Sequence, residues 1–148
     1  MADRSKVNYE FPAFTYEVER GKMQELVLAI GDDNAVFLDK ESAIEEGYKD
    51  TPASPTFSTV PMNWSNMLSR IIDYLKIDFA KVLHGEEGYE YFKEIYPGDV
   101  LTGKTRVVSI DEKTSSSGSM EIIKLETMYT NQRNELVLKA TALIVERK

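Results

Sequence analysis

The order of its segments predicts an α+β fold for this chain, with a curved antiparallel sheet wrapped around one long apolar helix. Three observations carry that expectation. Phe57, Val60, Trp64, Met67, Leu68, Ile71, Ile72 and Leu75 recur at steps of three and four, the period of one helical face. After residue 81 the pattern changes to four runs rich in Val, Ile, Thr and Tyr separated by turn residues. The last run sets Leu136, Leu138, Ala140, Ala142 and Ile144 on one side, and its central alanines leave room for a helix to approach. One apolar helix followed by consecutive strands is a two-layer arrangement.

Taken in chain order, residues 11–18 open with aromatics around a proline and read as a short lead-in or a strand. Met23, Leu26, Val27 and Ile30 then mark one face of a helix, which Gly31 ends in a left-handed turn. Asp39 is placed to cap a second short helix over residues 40–46, closed by Gly47. The main helix begins near Pro55, and Pro61 and Asn63 predict that its first turn is bent or restarted. Strands are expected over residues 88–95, 100–110, 121–129 and 136–145, and their succession implies antiparallel neighbours. Pro97, Gly98 and Asp99 form a turn, residues 111–119 a polar mobile loop, and residues 131–134 a tight hairpin.

Composition narrows the chemistry. The 148 residues suit a single domain spanning 1–148, and 42% hydrophobic with 29% charged residues is the make-up of an ordinary globular protein. With no Cys there is neither a disulfide framework nor a thiolate, in keeping with a cytoplasmic setting. The single histidine, His84, leaves a metal site to rest mainly on carboxylates and gives any catalytic triad only one base. No metal or other cofactor is expected. A net charge of -7 disfavours nucleic acid, whose phosphates need clustered Lys and Arg. Residues 1–8 are polar and no later run approaches the roughly 18 apolar residues of a membrane span, so neither export nor membrane insertion is expected.

The segment Gly31-Asp32-Asp33-Asn34-Ala35-Val36-Phe37-Leu38-Asp39 carries the clearest functional signal. It resembles the G-D-x-N-P-x-H-x-D motif of the MaoC-like family of (R)-specific enoyl thioester hydratases and 3-hydroxyacyl thioester dehydratases. Pro97 to Leu101 resembles that family's turn into a strand. Leu83-His84-Gly85-Glu86-Glu87 is similar to the L-H-G-E-Q signature, and Ala53-Ser54-Pro55-Thr56-Phe57 to the A-P-P-T-F segment, of the branch related to type I fatty acid synthase dehydratases. The resemblance spans about residues 11–147 and implies a hot-dog fold. It also implies an acyl-CoA or acyl carrier protein thioester as ligand, with Phe37, Pro55, Thr56 and Phe57 along the acyl group.

In that family an Asp and a His five positions apart hold the water that adds to or leaves the 2,3-double bond. Here Asp32 keeps the first position and Phe37 takes the second. A benzene ring exchanges no proton, and general acid–base groups are worth about 10² to 10⁴ in rate. The resemblance therefore implies a half that supplies structure and acyl space beside a dyad-bearing MaoC-like subunit, or a homodimer of such halves. Two other functions are open: a hot-dog thioesterase in which Asp32 or a glutamate activates water, and a non-catalytic acyl-thioester or lipid-binding homodimer.

Individual residues have plainer readings beside these. Asp32 is either a retained acid or a polar residue after a helix-ending glycine, Asn34 either orients the loop or stabilises its turn, and Phe37 either lines an acyl pocket or packs in the core. His84 is a relocated base beside Asp32 or an exposed structural residue. Tyr89 and Tyr91 share a strand face, Glu86, Glu87 and Glu90 form an acidic patch, and Lys104 with Arg106 offers a local basic patch to an acidic carrier.

Overall fold

The computed structural model describes residues 3–115 and 118–147. Strand β1 (Phe14–Glu17) leads into helix α1 (Arg20–Ala29) and short helix α2 (Lys40–Glu45), followed by α3 (Thr59–Trp64) and α4 (Met67–Leu75). Strands β2 (Val82–Tyr91), β3 (Val100–Ser115), β4 (Gly118–Thr130) and β5 (Leu136–Arg147) complete the chain. All five strands pair antiparallel in the order β1-β3-β4-β5-β2. This is the curved sheet with helices on one face that the sequence predicts.

Alternation along the strands sends one set of side chains inward. Leu138, Ala140 and Ile144 of β5 and Ile123, Leu125 and Tyr129 of β4 are buried there, against Phe57, Met67, Ile71 and Leu75 from the helical layer. Fully burying such a side chain stabilises by about 1.5–3 kcal/mol, so α4 is fixed chiefly by Met67, Ile71 and Leu75, each at 1% exposure or less. Gly103 of β3 sits opposite Phe14 of β1 because the phenyl ring occupies the space of its missing side chain: a Cβ there would lie 2.3 Å from the ring's Cζ.

Five expectations need correction. The four late strands are antiparallel but not all sequential neighbours, since β2 pairs with β5 at the far edge and not with β3. The long helix is two helices, broken where Asn66 adopts φ +53°, and the restart falls three residues beyond Asn63. The rotation introduced by that break turns Trp64 (70% exposed) and Leu68 (40% exposed) out of the stripe. Ile30 is likewise exposed, lying past the end of α1, so the buried face of that helix is Met23 and Val27 with Leu26 half-buried. Strand β2 starts at Val82 and ends at Tyr91, six residues earlier than the expected start and four before the expected end, because β5 continues to Arg147 and offers a partner for Val82 to His84. Finally, residues 111–115, 118 and 119 of the expected polar loop over 111–119 are strand: Asp111 pairs Ile122, and the ladder continues to Ser115 opposite Gly118. Residues 116 and 117 lie outside the described residues.

The two edges of the sheet differ. Beyond β1, the outer edge of β3 is also bonded by Asn8 N to Val107 O, Val107 N to Tyr9 O and Phe11 N to Thr105 O, so residues 8–17 cover it. The other edge is β2, ten residues long, with Val82 to Gly88 largely exposed.

Candidate functional site

The loop after α1 is shaped by its own polar side chains. Gly31 takes φ +74°, a left-handed conformation that ends α1 and that a side chain would oppose. The Asp32 carboxylate then accepts a hydrogen bond from Asn34 N at 3.0 Å, and the Asn34 amide oxygen accepts from Val36 N at 3.1 Å, opening a single 3-10 turn at Ala35–Phe37. Gln24 Nε2 donates to Leu38 O at 2.9 Å, tying the turn back to α1. Asp39 caps α2 through Ser42 N and Ser42 Oγ, both at 2.8 Å, and these bonds hold its carboxyl below the usual value. Asp32 and Asn34 are therefore brought together in one turn. Phe37 ends that turn half-buried and is absent from the buried core, where one of its two sequence readings placed it.

A second feature lies between the helices and the sheet. It is a cavity of about 230 Å³ whose floor is apolar, made by Leu68 and Ile71 of α4 with Leu125, Ala142 and Ile144 of the sheet. Its rim is polar: Thr59 and Asn63, one turn apart on α3, face His84 and Glu87 on β2. In a regular strand residues three apart point to opposite faces. Here a bulge at Gly85 leaves His84 opposite Ile144 and Glu87 opposite Ala142, so both reach the same face. His84 Nε2 and Glu87 Oε2 meet at 3.0 Å, with 60% and 30% of the side chains exposed.

Behind this pair stands a row of tyrosines. Tyr91 donates from its hydroxyl to Pro55 O at 2.7 Å, and Tyr129 to Ser58 O at 3.3 Å, fixing the start of α3 to the sheet. Burial pushes the Tyr91 phenol up to about 12, and moves Tyr89 and Tyr129 well above their ordinary value. All three remain neutral at any ordinary pH. Of the residues expected along the acyl group, Pro55 and Thr56 are exposed and Phe57 is fully buried in the core; none of them, nor Phe37, lines this cavity.

The geometry gives His84 to Glu87, so the imidazole is not a base beside Asp32. The acidic patch also divides, Glu87 going to His84 and Glu90 to Lys139 at 2.8 Å. Arg106 is committed to Glu126 at 3.0 Å, which leaves Lys104 little help in forming a basic patch. Sequence reasoning missed the paired His84 and Glu87. The available signal was an isolated Gly85 inside a β-rich run, the mark of a bulge. Among the described residues no helix is long and apolar enough to cross a membrane.

The profile of the FAS1-like dehydratase domain region matches residues 5–140. The chain belongs to that family. A "UPF0336 protein" of Thermobifida fusca (strain YX) is 33% identical to this FAS1-like dehydratase region over 140 residues, 94% of this chain and 88% of the relative. Among solved structures, a "MaoC-like dehydratase" superposes with a TM-score of 0.85 at 23% identity, covering 97% of this chain and 42% of that longer one. The C-terminally truncated HadBC (3R-hydroxyacyl-ACP dehydratase) complex from Mycobacterium tuberculosis contains a chain that superposes with a TM-score of 0.80 at 20% identity, covering 95% and 96% of the two chains. These likenesses place the FAS1-like dehydratase region in the hot-dog fold of MaoC-like dehydratases.

Proposed function

We propose that this chain is the dyad-deficient subunit of a 3-hydroxyacyl thioester dehydratase or enoyl thioester hydratase, holding acyl chain and scaffold while a MaoC-like partner supplies the acid–base pair. The observation that carries the reading is Phe37. The loop around it keeps its Asp32–Asn34 turn, yet the position that would need an imidazole holds a half-buried phenyl ring. A carboxylate alone at this place lacks the second group that moves a proton in the opposite sense.

Two features support a partner. Strand β2 ends the sheet with a long exposed edge, a ready template for pairing with a strand of another chain. The cavity is smaller than the roughly 300–1,000 Å³ of a typical ligand site, so it suits part of an acyl group with the remainder held elsewhere. The HadBC relative is itself a complex of subunits, which fits such an arrangement.

The test is kinetic. Purified chain is incubated with crotonyl-CoA alone and then with a MaoC-like subunit carrying an intact Asp and His. The reading requires hydration only in the second case, and release of free thiol in the first would indicate a thioesterase instead.

A further inference from the structure

The polar rim of the cavity has a direction. An ionised carboxylate only accepts hydrogen bonds, so the contact of Glu87 with His84 Nε2 puts the proton on Nε2. In the neutral ring Nδ1 is then left as an acceptor. His84 also lines the cavity, whose floor takes hydrocarbon. The ligand that satisfies both has an apolar chain and, next to it, an O–H group.

We propose that His84, oriented by Glu87, accepts a hydrogen bond from a hydroxyl on an acyl group whose hydrocarbon lies in the cavity, making this chain selective for hydroxyacyl over unsubstituted acyl groups. The proposal rests on the acyl-holding role above and adds a residue that reads the ligand. It explains why β2 carries a bulge at this point. Were this stretch paired regularly with every residue in the ladder, His84 and Glu87, three apart, would lie on opposite faces and the imidazole would have no orienting partner. A carboxylate at Glu87 fixes the imidazole proton, where an amide, able to donate or accept, would not. His84 is a binding residue here and Glu87 the residue that positions it, and no covalent bond is made or broken at either.

The experiment compares 3-hydroxyoctanoyl-CoA with octanoyl-CoA by calorimetry on the full chain. The CoA part is common, so the difference reports the hydroxyl. The expected result is about tenfold tighter binding of the hydroxylated ligand, the scale of one well-made hydrogen bond. His84→Phe should bring the two affinities together, and Glu87→Gln should keep only part of the preference. His84 is the single histidine, so its Nδ1 nitrogen resonance is unambiguous and should move with the hydroxylated ligand alone. Equal affinities in the wild type, a preference that survives His84→Phe, or an unmoved resonance would overturn the inference while leaving the acyl-holding role standing. If neither ligand binds, both fall.

Discussion

At the scale of the residue, the loop and the cavity make opposite demands on their polar groups. Asp32 and Asn34 spend their oxygens on backbone N–H groups of their own turn, so the loop keeps its shape without a reacting ligand. On the proposed function Asp32, with Phe37 in place of its partner group, takes no part in proton transfer, and Asp32→Asn should leave the rate of a reconstituted two-subunit enzyme unchanged. Removing a working acid–base group would instead cost about 10² to 10⁴, so steady-state kinetics on crotonyl-CoA decides. Gly103→Ala is a structural counterpart. Its new methyl would meet the Phe14 ring at 2.3 Å, and overpacking of this kind costs about 1–3 kcal/mol, to be read as a lowered midpoint in chemical denaturation. What the sequence made legible at this scale was the identity of the loop residues and the absence of an imidazole at Phe37. What it hid was the meeting of His84 with Glu87, because a bulge moves side chains between faces and a pattern of period two cannot register that.

At the scale of the element, the break between α3 and α4 and the anchoring of α1 decide how the helical layer sits. Asn66 holds a left-handed conformation that costs an ordinary residue roughly 1–2 kcal/mol. Asn66→Gly should therefore be tolerated, while Asn66→Val should lower thermal stability. Apolar spacing over residues 57–75 revealed the helix but not its division, since the stripe continues at steps of three and four through the interruption. Arg20 at the start of α1 binds Asp50 at 2.9 Å, and Lys40 of α2 reaches the same carboxylate at 3.3 Å. The Arg20 guanidinium holds the Asp50 carboxyl far below its ordinary 3.8. A carboxyl depressed in the folded state contributes stability above its unfolded value and loses it as pH falls towards the folded one. Thermal midpoints measured from pH 6 down to pH 2 should thus drop below about pH 4, and Asp50→Asn should start lower and show a shallower drop.

At the scale of the whole molecule, the architecture was the most legible part. Four β-rich runs after an apolar helix led to the sheet, and the alanines of β5 lie under the helical layer as expected, Ala140 buried and Ala142 half-buried. Strand order departs from the expected succession of neighbours: β2 pairs with β5 at the far edge, a long-range choice that local pattern does not encode. That edge and the small cavity beside it carry the expectation of a partner. Leu83, 46% exposed on β2, belongs to the surface such a partner would cover. Leu83→Lys should weaken association, seen as a shift to lower mass in light scattering, without altering the far-ultraviolet circular dichroism. On the proposed function this polypeptide cannot run the acid–base cycle by itself. The measurement that decides is the hydration of crotonyl-CoA by the purified chain, followed as loss of the enoyl chromophore. No turnover is expected until a subunit with an intact Asp and His is added; rapid hydration by the chain alone would contradict the claim.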